Sequence, residues 1–242
     1  MTTTAELGDR ISAEVRTALD ALVTERPMLT IFGSARASPG DHDYEVAREL
    51  GRQLGTAGFG VITGGGPGLM EAANRGAREA GAPSFGASIV LPHEQVSNPY
   101  LDREARFDFF FTRKLALLRA SCGFICFPGG FGTVDELFEA LVLIQTDKLP
   151  HFPLVLVGTD YWAGLLAWID ASMTPAGAIA AHERRLLLVT DNLADVVRHC
   201  LRCHATLCAE LGHGPHYPNA STRGGGATGL RRQTTQAIPG RP

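Results

Sequence analysis

Only two lysines occur in the 242 residues, Lys114 and Lys148. Chemistry that begins from a lysine Schiff base therefore has two places to reside, and neither has a context that points to pyridoxal phosphate. Positive charge is also short: 22 basic residues face 25 acidic ones, for a net charge of −3 and a pI near 6.2. That balance excludes the broad basic surface on which a nucleic-acid polymer would lie. No apolar run approaches the roughly 18 residues of a membrane span, and Met1-Thr2-Thr3-Thr4-Ala5-Glu6 lacks a basic segment leading into an apolar one. A cytoplasmic protein with no membrane partner is the expectation. No internal repeat is present.

Cysteine is sparse and odd in number, at 122, 126, 200, 203 and 208, which is unlike a disulfide framework. Cys200-Leu201-Arg202-Cys203-His204 spells a C-x-x-C-H string. It falls inside an expected helix over Ala194–Leu211, no second pair accompanies it, and buried free thiols are common, so no metal or haem is assigned to it.

What the chain has in quantity is glycine, 28 residues of it, placed at the ends of apolar runs. From Met28 onward short β-type segments alternate with helical spacing. Strands are expected at Leu29–Phe32, Gly60–Thr63, Phe85–Val90, Phe107–Phe111, Gly123–Cys126, Pro153–Gly158 and Leu186–Val189. Helices are expected over Tyr44–Thr56, Gly68–Ala80, Arg113–Ala120, Tyr161–Ser172 and the last stretch before Gly212. This rhythm predicts an α/β fold, a doubly wound and mostly parallel sheet of about seven strands, with ligands beyond the strands' carboxyl ends. Residues 1–26 read as an N-terminal amphipathic helix, 27–211 as the α/β domain, and 212–242 as a Gly-, Pro- and Thr-rich tail too poor in apolar residues to order itself.

Three strand ends carry small residues: Gly33-Ser34-Ala35-Arg36, then Thr63-Gly64-Gly65-Gly66-Pro67-Gly68, then Pro128-Gly129-Gly130-Phe131-Gly132-Thr133. None fits the G-x-G-x-x-G dinucleotide fingerprint in context and none contains the GK[ST] of a P-loop. A single such loop is as consistent with a tight βα turn as with phosphate. Two glycine triplets on one sheet edge favour phosphate, because bare N–H groups at a helix start attract anions and glycine lets the anion approach. Cations Arg36, Arg113 and Lys114 fall near the same edge, as do Glu94 and Glu136. His93 reads as a loop histidine, since no nucleophile motif accompanies it. Glu136 has two readings: an acid beside the phosphate, or half of a capping box with Thr133 three residues earlier.

Together, Gly64-Gly65-Gly66-Pro67-Gly68-Leu69-Met70-Glu71, Thr112-Arg113-Lys114 and Pro128-Gly129-Gly130-Phe131-Gly132-Thr133-Val134-Asp135-Glu136 resemble the Lonely Guy family of cytokinin riboside 5′-monophosphate phosphoribohydrolases. The likeness runs from about Pro27 to Leu201, and the family pattern P-G-G-x-G-T-x-x-E is met at each fixed position. The resemblance implies a Rossmann-like fold and a homodimer or homohexamer. It implies hydrolysis of a nucleoside 5′-monophosphate, adenosine or cytokinin type, to free base and ribose 5-phosphate, with no cofactor and no metal.

By the same resemblance Arg113 and Glu136 are the catalytic pair. Substrate contacts are expected from Gly33, Ser34, Gly64, Gly65, Gly66, Glu94, Lys114, Gly129, Gly130, Phe131, Gly132 and Thr133. Before Arg113-Lys114 stands Phe109-Phe110-Phe111-Thr112, where Met-His is usual in the family. Molybdenum-cofactor carrier proteins have similar glycine loops on a similar sheet, so a non-catalytic nucleotide or cofactor carrier is the alternative.

Overall fold

A computed structural model describes residues 3–91, 96–149 and 152–211. Glu94, His93 and the 212–242 tail lie outside the described residues. Seven strands form one sheet in the order β4-β3-β2-β1-β5-β6-β7, every neighbouring pair parallel. They are β1 (Met28–Phe32), β2 (Gly60–Thr63), β3 (Ser84–Ile89), β4 (Arg103–Phe107), β5 (Phe124–Cys126), β6 (Leu154–Leu156) and β7 (Leu187–Val189). The order reverses between β1 and β5, which makes their carboxyl ends the place where a crevice opens in a doubly wound sheet.

The central strands are apolar on both faces because helices cover both. Along β1, Met28 and Phe32 point into one core and Leu29 and Ile31 into the other; along β5 and the residue after it, Phe124 and Cys126 oppose Ile125 and Phe127 in the same way. The first core is closed by α1 (Thr4–Leu22), α4 (Phe110–Ala120), α5 (Phe131–Gln145) and α6 (Thr159–Trp168), through Leu22, Leu117, Leu137 and Trp162. The second is closed by α2 (His42–Thr56), α3 (Leu69–Glu79) and α7 (Leu193–Leu211), through Leu50, Ala73 and Val196. Cys122 and Cys200 sit in that second core, and burial pushes the Cys200 thiol up. Cys203 lies 3.8 Å from His199 Nε2. Among the described residues no group of three metal-ligating side chains forms, and no helix is long and apolar enough to cross a membrane.

Two expectations are corrected. The run Phe107–Phe111 is not a strand: β4 stops at Phe107, the chain turns at Asp108 and Phe109, and Phe110 opens α4. Phe110 and Phe111 are 57% and 54% exposed, a placement that a strand covered on both faces would not allow. The capping box also fails at its expected position. α5 starts at Phe131 with Gly130 as N-cap and no side-chain cap, so Thr133 is the third helical residue and Glu136 the sixth. The glycine turn ends earlier than the box pattern requires. A complete capping box does occur at α1, where Thr3 and Glu6 exchange bonds.

Candidate active site

A cleft of about 1090 Å³ lies over the carboxyl ends of β1, β2 and β5. Its floor is built by backbone. The Ser34 N–H donates to the Pro128 carbonyl at 2.9 Å, and the Ser34 carbonyl accepts from the Leu69 N–H at 2.9 Å. The turn after β1 thus ties the β5 loop to the start of α3. Gly33 is required by packing, because a Cβ there would stand 2.7 Å from Leu69 Cδ1 and 3.1 Å from Phe127 Cβ.

The loop after β2 is closed on itself. The Gly65 N–H donates to Thr63 Oγ1 (3.0 Å), while the Gly65 and Gly66 carbonyls accept from the Asn98 N–H (2.8 Å) and Nδ2 (3.0 Å). Gly68 has φ +73°, and a Cβ on it would meet the Ser34 carbonyl oxygen at 2.4 Å. Of the triplet only Gly64 lines the cleft. A Cβ on Gly64 would stand 2.7 Å from Arg113 Nη2 and 2.8 Å from Met70 Sδ, so the missing side chain is what leaves room for the guanidinium.

The loop after β5 is open. Around Gly130 and Gly132 a Cβ would meet nothing within 4 Å, Phe131 is 96% exposed, and no side chain caps α5. The start of this helix therefore presents N–H groups and the positive end of its dipole to the cleft. Gly129 is different: its Cβ would collide with Thr133 Oγ1 at 2.2 Å. Tyr161, on α6, donates its hydroxyl to the Gly129 carbonyl at 2.5 Å and lines the same wall.

Above this cradle Arg113 from α4 and the buried Glu136 from α5 meet the cleft, which Asp135 also lines. Glu136 is only 5% exposed. Its Oε2 and the Arg113 Nε are buried without a hydrogen-bond partner. Burial pushes the Glu136 carboxyl up to about 7, against the opposing pull of Arg113 and then Lys114. Burial likewise lowers the Arg113 guanidinium from its ordinary value, with Glu136 opposing. Leaving buried polar atoms unsatisfied costs about 1–3 kcal/mol each, more for charged groups. A fold that keeps two of them on one wall has placed them for something that arrives there.

Lys114 does not face the cleft. Its Nζ reaches Asp135 Oδ1 at 2.7 Å and Glu139 Oε2 at 3.0 Å, bridging α4 to α5 beside the Arg113/Glu136 pair. Burial pulls this ammonium down, but the two carboxylates outweigh it and hold its pKa above the ordinary value. Of the residues expected at the site, the structure brings Gly33, Ser34, Gly64, Arg113, Gly129, Gly130, Phe131, Gly132, Thr133 and Glu136 to one cleft, with Arg36 on its exposed rim. Gly65, Gly66 and Lys114 stay behind it as supports, and Glu94 is outside the described residues. Tyr161 and Met70 also line the cleft and were not expected. Tyr161 follows β6, so its place beyond a strand end was the available signal.

An uncapped glycine cradle at the switch point of a parallel sheet, with a buried acid and a buried cation above it, has the build of an α/β enzyme site. A protein-family profile described as "Possible lysine decarboxylase" matches residues 70–200, and the chain belongs to that family. A probable cytokinin riboside 5′-monophosphate phosphoribohydrolase of Oryza sativa subsp. japonica is 32% identical over 66% of this chain and 67% of its own length. The cytokinin riboside 5′-monophosphate phosphoribohydrolase of Mycobacterium tuberculosis is 33% identical over 64% of this chain and 84% of its own. A pyrimidine/purine nucleotide 5′-monophosphate nucleosidase of Escherichia coli is 29% identical over 73% of this chain and 40% of that enzyme. Among solved structures, the molybdenum cofactor binding protein of Rippkaea orientalis superposes with a TM-score of 0.55 at 19% identity, over 76% of this chain and 99% of that one. That likeness is one of fold.

Proposed function

We propose that this protein hydrolyses the N-glycosidic bond of a nucleoside 5′-monophosphate, releasing the free base and ribose 5-phosphate. The observation that carries the reading is the Glu136 carboxylate, buried, short of a partner, and on the same cleft wall as the open α5 N-terminus. The N–H groups from Gly130 onward hold the 5′-phosphate, which orients the sugar. Glu136 then faces C1′. As the C1′–N bond breaks, its electron pair leaves with the base and positive charge grows at C1′; the ionised carboxylate stabilises that charge and accepts a proton from the incoming water. The water oxygen bonds to C1′, and the proton is passed to the base. Arg113 offers hydrogen bonds to the ribose hydroxyls or the departing base as negative charge builds there.

The names of the relatives support an adenine-type substrate, either AMP or an N6-prenylated AMP. The decarboxylase description of the family finds no support in this site, because Lys114 is held by Asp135 and Glu139. The test is direct: the purified protein is incubated with AMP and with N6-isopentenyl-AMP, and base and ribose 5-phosphate are quantified. Nucleotide binding without release of either base would instead establish a carrier. The same reading includes a homo-oligomer, for which Phe111 and Leu115, one helical turn apart on α4 and 54% and 45% exposed, offer an apolar strip. Sedimentation velocity giving a monomer at micromolar concentration would refute that part.

A further inference from the structure

We propose that Glu14, on the N-terminal helix α1, is a positioning residue for this reaction: its carboxylate clamps the turn from β4 into α4 and so fixes the place of Arg113. The inference rests on the function proposed above. The Asp108 N–H donates to Glu14 Oε2 at 2.7 Å and the Phe109 N–H to Oε1 at 3.4 Å. The Thr112 hydroxyl bonds Glu14 Oε1 as well and lies 2.8 Å from the Phe109 carbonyl. One carboxylate thus gathers three groups of the segment that ends immediately before Arg113.

α4 needs such a clamp from elsewhere. Its N-cap is Phe109, which has no capping atom, and its first turn carries no acid. The first helical bond of Arg113, from its N–H to the Phe109 carbonyl, is 3.2 Å long. Fixing Phe109 therefore fixes the backbone from which the catalytic guanidinium hangs, and Arg113 Nε has no hydrogen bond to hold it from the other end. A negative charge at this helix start is also favoured by the helix dipole. The neighbouring contacts of α1 are weaker in kind: Arg10 pairs with Asp108 at 2.9 Å, but both side chains are half exposed, where such pairs contribute little.

The experiment compares Glu14→Ala, Glu14→Gln and Arg10→Ala in the full chain. Amide exchange at Asp108 and Phe109 reads the clamp itself; kcat, KM and the pH profile of base release read its consequence. Glu14→Ala is expected to lose protection at both amides and to lower kcat by about 10- to 100-fold while KM changes less than about threefold, since the phosphate cradle is on α5. Glu14→Gln, which keeps one acceptor oxygen, recovers part of kcat, and Arg10→Ala stays within about twofold of the parent.

The acid limb of the profile should move to higher pH in Glu14→Ala. Glu136 is faced by Arg113 and Lys114 from α4, by Asp135 and Glu139 on its own helix, and by Cys126 of β5, and a displaced Arg113 removes the largest pull toward ionisation. Loss of amide protection with kcat unchanged, or a kcat loss matched by Arg10→Ala, overturns the proposal. A parent protein that releases no base overturns it by a different route, through the function, while the exchange data still report whether the clamp exists.

Discussion

The two glycine-rich loops look alike in sequence and do opposite work in the structure. In Gly64-Gly65-Gly66-Pro67-Gly68 the space where side chains would stand is filled by other parts of the protein at three positions, Arg113 over Gly64, Ser88 Oγ over Gly65 and the Ser34 carbonyl against Gly68, while Asn98 bonds the carbonyls of Gly65 and Gly66. In Gly129-Gly130-Phe131-Gly132 the space beside Gly130 and Gly132 is empty. At Gly64, Gly65 and Gly68, as at Gly129, the fold needs glycine; at Gly130 and Gly132 packing does not require it, which is what the function proposed above accounts for. What a Cβ would strike separates the two cases, and composition does not.

Three substitutions sharpen that contrast. The largest effect is expected at Glu136, the acid that the open loop serves: Glu136→Gln should lower base release by about a thousandfold or more with nucleotide affinity largely kept. The same variant has a stability signature of known sign. The folded-state pKa is raised from 4.5 to about 7, so the fold favours the protonated acid. The stabilisation is complete below pH 4.5 and is lost as pH rises through 7, to the extent of about 3 kcal/mol. Glu136→Gln should therefore raise Tm at pH 8 and show no such gain at pH 4. Thermal unfolding at the two pH values checks it, and equal shifts at both would refute the assignment.

Next is Gly68→Ala. A residue with φ +73° and a Cβ 2.4 Å from a backbone oxygen should cost about 3 kcal/mol of folding stability or more. Gly130→Ala should be the mildest. Its φ of −85° suits any residue, and its stability should stay within about 0.5 kcal/mol of the parent. Its KM for the nucleotide should nevertheless rise about tenfold, as the methyl group crowds the phosphate. Any residual cleavage of the unphosphorylated nucleoside should be unchanged. If both alanines behave alike in melting and in kinetics, the distinction between closed and open loops fails.

Much of this was legible in the chain because it is written locally. Parallel strands covered on both faces read as short apolar runs, glycine marks their ends, and the order of βα units leaves few topologies. The pair Arg113 and Glu136 was legible through motif resemblance, and both reach the cleft. What was not legible depends on distant partners. Phe109-Phe110-Phe111 looks like a buried strand until Glu14, 94 residues before Asp108, caps the turn there. Thr133 and Glu136 have capping-box spacing, but helix start and box position differ by three residues once Gly130 is the N-cap. Lys114 looked like a ligand for substrate; only the packing of α4 on α5 shows Asp135 and Glu139 already holding it. Asn98 carries no motif at all.

The Ser34 peptide, bonded on one side to Pro128 and on the other to Leu69, joins the rigid loop to the open one through a single residue. Its hydrogen bonds run through main-chain atoms, so side chains on the cleft's exposed rim can be exchanged without loosening the join, provided Gly33 and Gly68 beside it stay glycine. A lineage descending from such a scaffold is free to revise the cleft's exposed rim, Arg36 among it, and with it the molecule accepted, while Arg113 and Glu136 stay in register. Diversification of substrate within a family of this build then needs no diversification of mechanism.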